Sequence, residues 1–321
     1  MMKFFENSFN RPNEWFRYLL TCLLSFVVFA QILGGIPLMI LIGVKAANQG
    51  GVMTDPLNFE AYGVSSTLGL GIMLFSFVMG LFGLWLFFKV FHKKPFTDLF
   101  NGQGTFRWKR FFYAVGIWGG LMLVYLVGQL LITPEAFHWQ FDWRQFYPLL
   151  IVSVILIPLQ TSYEELLFRG YLAQGVGVWT RNRWLVVIIP AAIFALMHIM
   201  NPEVEAYGFW LTMPQYLFFG LLFGICTVLD DGLEVCLGAH AINNVFLSLF
   251  VTSEESVFKT HSVLKQVEID PVMELISLLV LGTLFFFIMY KLLGWKWKVM
   301  NDKIAPTTLS NQPFMEINQD H

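Results

Sequence analysis

Charge is what this chain has least of. Asp, Glu, Lys and Arg make up 13% of its 321 residues, about half the share found in soluble globular proteins. Hydrophobic residues make up 56%, and the mean hydropathy is +0.62. That balance excludes a water-soluble fold and makes lipid the solvent of a polytopic membrane protein. The net charge is −2 and the pI about 6.3. No basic stripe with interleaved aromatics is present, which excludes nucleic acid as a partner. Cysteine is nearly absent: Cys22, Cys226 and Cys236 lie in apolar stretches, show no Cys-x-x-Cys spacing and report no redox compartment. There is no internal repeat. The first apolar stretch is too long for a secretory signal and lacks a small-x-small cleavage site. Leu19-Leu20-Thr21 before Cys22 also lacks the small residue of a lipoprotein site, so no processing is expected.

What the chain does have is long apolar runs. A bilayer core about 30 Å thick takes about 20 apolar residues per helix. Stretches at 18–44, 66–91, 111–133, 146–163, 184–200, 212–229, 233–251 and 271–293 predict an all-α, polytopic transmembrane helical bundle of about eight spans. The fourth stretch is short, contains Pro158 and runs straight into Thr161-Ser162-Tyr163-Glu164-Glu165. Of 20 Lys and Arg, only Lys45, Arg144, Lys259 and Lys265 fall on one side of this arrangement. The rest, including Arg11 and the 89–110 loop, gather on the other, which predicts cytoplasmic N- and C-termini in a multi-pass cell-membrane protein. Residues 1–145 read as N-terminal spans without motifs, 146–251 as the core that carries the chemistry, and 252–321 as a last span with a polar tail. Trp108, Trp139, Trp143, Trp295 and Trp297 read as interfacial anchors. Gly116 with Gly120, and Gly220 with Gly224, read as small pairs that let helices approach closely. His92, His138, His261 and His321 read as solvated loop or tail residues.

Few ionisable residues lie away from span ends: Glu164, Glu165, Arg169, His198 and His240, all between 164 and 240. An ionised side chain at membrane depth costs roughly 2.5–3.5 kcal/mol, so tolerance would scatter such residues, whereas a site built by neighbouring helices collects them. Glu165 and Arg169 are four apart and share a helical face, where they can pair. Glu164 points elsewhere, free to act as a general base; as plain structure, all three would be a charge cluster orienting a helix end. His198 follows Phe194-Ala-Leu-Met and by itself suits an interface residue. His240 and Asn244 are four apart on one face, with Asn243 close to it; as packing, they would be interhelical hydrogen-bonding glue. Cys236 could share that face and reads as packing.

Glu164-Glu165-Leu-Leu-Phe-Arg169, Phe194-Ala-Leu-Met-His198 and His240-Ala-Ile-Asn-Asn244 together resemble the CAAX protease and bacteriocin-processing family of intramembrane proteases, whose members include the type II prenyl endopeptidases. That family carries Glu-Glu-x-x-x-Arg, Phe-x-x-x-His and His-x-x-x-Asn/Asp on successive membrane helices. The resemblance covers roughly 145–250. It implies a peptidase in which Glu164 and His198 hold and deprotonate a water, His240 and Asn244 donate to the tetrahedral oxyanion, and Glu165 with Arg169 is a supporting ion pair. It implies a membrane-embedded or membrane-delivered peptide as substrate; the charge distribution places cleavage near the cytoplasmic boundary, and no cofactor is expected, since Asn is a poor zinc ligand. A metalloprotease-like version would place Zn²⁺ on Glu164, His198 and His240, although no His-Glu-x-x-His helix is present. A proton- or cation-coupled transporter, and a non-catalytic immunity or scaffold member of the family, are the competing readings.

Overall fold

In lipid every backbone N–H and C=O must find its partner within the segment, so long apolar runs close into helices. The computed structural model, which describes residues 3–10, 12–49, 59–60 and 63–306, is an all-α polytopic membrane bundle. Its apolar helices are α1 (Trp15–Lys45), α2 (Ser66–His92), α3 (Trp108–Ile132), α4 (Trp143–Thr180), α5 (Arg183–Met197), α7 (Phe209–Asp230), α8 (Glu234–Phe250) and α9 (Pro271–Leu293), with a short α6 (Pro202–Tyr207) between α5 and α7. Six are long and apolar enough to cross a membrane, whereas α5 and α8 have 15 and 17 residues. Polar side chains set several starts: Ser65, Asp142, Asn182 and Asp270 each accept a backbone N–H from the first turn they precede. Arg11, His321 and the tail from 307 lie outside the described residues.

The fourth helix departs from its predicted limits. Instead of ending at 163, α4 continues through a π-helical turn, Leu166–Leu172, to Thr180. Glu164 and Glu165 therefore lie inside a 38-residue helix rather than at its mouth. Around the bundle α1 packs on α2, α2 on α4, α4 on α8 and α8 on α3; α9 bridges α3 and α7, and α7 returns through α5 to the π turn of α4. The ring thus brings α4, α5, α7 and α8 together around the motif residues.

The two ends of the bundle are closed differently. At one end Asp230 and Glu234 are buried and ion-paired with Arg107, and Asp230 also with Arg110. Trp295 donates its indole N–H to Asp230 at 2.8 Å and is buried, so it is a core residue and not the membrane anchor the sequence suggests. Trp108, Trp139, Trp143 and Trp297 are exposed. The N-terminal segment docks here too: Asp231 accepts the backbone N–H of Lys3 and Phe4 at 2.9–3.0 Å, while Phe4 and Phe5 are buried. Burial pushes the Asp231 carboxyl above the usual range despite those bonds. At the opposite end β1 (Phe137–Trp139), β2 (Val251–Thr252) and β3 (Leu264–Gln266) form a small sheet in the order β1-β3-β2, which hydropathy does not reveal. His92 is also corrected: far from solvated, it is fully buried, with Nδ1 on the Pro12 carbonyl at 2.8 Å and Nε2 on the Tyr171 hydroxyl at 2.7 Å.

The glycine pairs separate into one true contact and one open face. A Cβ at Gly220 would lie 2.9 Å from Ala191, and one at Gly224 would lie 3.0 Å from Val187, so this pair lets α7 approach α5. A Cβ at Gly116 or Gly120 would meet nothing within 4 Å; the close approach on α3 is made by Gly119, against Ile242. Gly220→Ala should therefore lower stability by about 1–3 kcal/mol through overpacking against backbone, read as an earlier thermal transition in detergent. Gly116→Ala should leave that transition in place, and equal losses for the two variants would contradict the packing described.

Candidate active site

The motif residues converge on one buried cluster. On α4, Arg169 Nη1 donates to Glu165 Oε1 at 3.0 Å, the contact that four-residue spacing predicts. From α8, 75 residues away in sequence, His240 Nδ1 donates to the same oxygen at 2.8 Å. The other ring nitrogen, Nε2, stands 3.6 Å from Glu164 Oε2, beyond a good hydrogen bond. His240 therefore spans both glutamates, holding one and facing the other. Glu165 has no solvent exposure, whereas Glu164 keeps 9%. Two adjacent carboxylates are tolerable at this depth because a guanidinium and an imidazole are packed against them.

Arg169 is short of hydrogen bonds: Nε and Nη2, like Glu165 Oε2, are buried without a partner among the described residues. Its guanidinium carbon instead lies 4.1 Å from the ring centroid of Phe194, a cation–π contact. Phe194 also packs on His198 at 4.5 Å and on His240 at 6.4 Å, so this one ring touches all three motifs. His198 caps the end of α5, and its Nδ1 lies 2.7 Å from the Phe194 carbonyl. Asn244 is fixed on two sides, donating from Nδ2 to Gln160 Oε1 at 3.2 Å and accepting from Asn243 Nδ2 at 3.0 Å. Asn243 in turn accepts the Trp118 indole N–H at 3.1 Å.

The sequence misses three of these partners. Gln160 lies one turn before Glu164 and is buried, its only sequence signal being that position. Tyr216, stacked on His198 at 4.3 Å, and Trp118 carry no signal at all, since each meets the site across the bundle. Cys236 turns its sulfur to the Phe223 carbonyl at 3.1 Å, away from any reacting position. The zinc version also fails on donor geometry: among the described residues no three His, Cys, Asp or Glu side chains group to hold a metal ion, and Glu164, His198 and His240 are not such a set. The metalloprotease-like reading is not supported.

A polar, fully helical membrane core built from two carboxylates, two imidazoles and an amide defines a class of integral membrane protein with a buried polar site. The type II CAAX prenyl endopeptidase Rce1-like family model matches residues 143–246. The uncharacterized protein YyaK of Bacillus subtilis (strain 168) is 31% identical over 263 residues, covering 78% of this chain and 84% of its own length. The chain belongs to the type II CAAX prenyl endopeptidase Rce1-like family, which makes it, at the level of the family, an intramembrane protease of the CAAX type. No solved structure matches it.

Arg169→Ala should leave Glu165 buried with His240 as its one remaining partner, and should lower the yield of folded protein by the equivalent of about 3–5 kcal/mol. Size-exclusion profiles and thermal transitions in detergent check this. A variant as stable as the parent would show that the pair does not support the cluster.

Proposed function

We propose that this protein hydrolyses a peptide bond in a membrane-embedded or membrane-delivered peptide, using a water activated by Glu164. The observation that carries this reading is His240, which is anchored to Glu165 through Nδ1 while Nε2 faces Glu164, with Asn244 one turn further along the same helix. Glu164, the carboxylate with residual exposure and no ion-pair partner as close as those of Glu165, is the base. It takes a proton from a water held with His198, and the water oxygen attacks the peptide carbonyl carbon. The carbonyl oxygen becomes an oxyanion that accepts from His240 Nε2–H and from the Asn244 Nδ2–H not used by Gln160. Donation from both nitrogens of His240 requires an imidazolium, and its charge together with that of Arg169 balances the two glutamates. Collapse breaks the C–N bond, and Glu164 returns its proton to the leaving amine.

The remaining parts of the reading are topological. The bundle spans the cell membrane with both termini in the cytoplasm, as the distribution of Lys and Arg favours, six of its helices among the described residues being long enough to cross. No cofactor takes part. The substrate is a peptide chain that the membrane delivers, and the family's prenylated C-terminal peptides are the first class to try.

Two experiments test the chemistry. New peptide termini are compared in membranes from cells making the wild type and cells making Glu164→Ala at equal abundance. Termini found with the wild type alone are expected and name the substrate; matching profiles would remove the peptidase reading. With that substrate, Asn244→Ala should lower kcat by about a hundredfold with little change in KM, because an oxyanion donor acts mainly in the transition state. An unchanged kcat would take Asn244 out of the site.

A further inference from the structure

The tautomer of His198 is set within its own motif, and the plane of its ring also from outside it. The Phe194 carbonyl oxygen can only accept, so the 2.7 Å contact fixes Nδ1 as the protonated nitrogen and leaves Nε2 as the acting edge. One ring face lies against Phe194, inclined at 49°. The other is covered by Tyr216 of α7, with centroids 4.3 Å apart and planes 25° apart, so the two rings are stacked. The tyrosine is itself held: Asn201 Nδ2 donates to its hydroxyl at 2.8 Å, and the Asn201 N–H donates to the His198 carbonyl at 3.0 Å. That closes a loop from His198 through Asn201 to Tyr216 and back to His198. Glu203, two residues on, accepts the Thr212 hydroxyl at its backbone carbonyl and the Val257 N–H at its carboxylate, both at 3.2 Å, tying the segment after Asn201 to α7 and to the segment after β2. His198 needs such a clamp because it follows Met197, the last residue of α5, where the helix no longer continues.

We infer that Tyr216 is a positioning residue for the hydrolysis: it holds the His198 ring in one plane so that Nε2 meets the water beside Glu164. The hydroxyl serves the clamp, but the stacked ring is the essential part, since the ring covers the imidazole while the hydroxyl touches only the loop. This rests on the reading of His198 as a site residue, so its test has one arm that needs no activity.

In ring-¹⁵N-labelled full-length protein, the imidazole shifts of the six histidines report tautomer and mobility, with His198→Asn assigning the His198 signals. The wild type and Tyr216→Phe should show His198 as a single Nδ1–H tautomer. Tyr216→Leu should show averaged or mixed tautomers at His198, while the buried His92 and His240 signals stay in place and certify the fold. On the substrate found through Glu164→Ala, Tyr216→Leu should lose about tenfold or more in kcat with KM little changed, as a misplaced catalytic group does, and Tyr216→Phe should restore most of it. An unaltered His198 signature in Tyr216→Leu overturns the inference, and so does an altered signature with undiminished turnover. If the wild type and Glu164→Ala yield the same termini, the peptidase reading falls, and the spectra alone still decide whether Tyr216 holds the ring.

Discussion

A carboxylate removed from water must be balanced by groups that were removed with it, and the interior of this bundle is organised by that requirement. Glu165 has no solvent exposure, and one of its oxygens receives both Arg169 and His240. The first contact is local and needs only a continuous helix through residue 169, which the π turn of α4 supplies. The second is long-range and fixes α8 against α4. Once α8 is seated, its next turn carries Asn244 to Gln160, and the neighbouring Asn243 takes the Trp118 bond from α3. The candidate site is thus a consequence of how one buried charge is neutralised. Glu164, its neighbour, is the carboxylate left over.

The same constraint explains which features were legible in the sequence. Contacts within one helical turn follow from spacing, so Glu165 with Arg169, and His240 with Asn244 on a shared face, could be read from the order of residues. The end of the fourth helix could not. Hydropathy treats Thr161 to Glu165 as an exit from the membrane, because it registers polar side chains and not the partners that compensate them from 75 residues away. His92 and Trp295 fail for the same reason: each looks like a boundary residue until Tyr171 or Asp230 is brought against it. The glycines show the limit in another form. Four-residue spacing identifies a smooth stripe on α3, but which stripe meets a neighbour depends on where α8 lies, and Ile242 meets Gly119 instead. The family motifs reach further because they name residues on several helices at once.

The two shortest apolar helices each contribute to the candidate site, beside the longest, α4. At 1.5 Å per residue, α5 with 15 residues and α8 with 17 are about 22 and 26 Å long, less than a hydrocarbon core of about 30 Å. A helix that stops short leaves backbone carbonyls and a non-helical turn at a depth where irregular backbone is tolerated only against protein or a polar cavity. The end of α5 meets that condition through polar partners: His198 on the Phe194 carbonyl, Asn201 on the Tyr216 hydroxyl, and Glu203 on the Val257 N–H. Water reaching a site inside a bilayer needs hydrogen-bonding groups on its way, and residues 198 to 203 carry such groups at the end of α5. An intramembrane hydrolase has to solve that problem before any other, since its co-substrate is the molecule its surroundings exclude. Under the proposed function, ending α5 early and filling the turn with hydrogen-bonding side chains serves that need, with His198 the first of them.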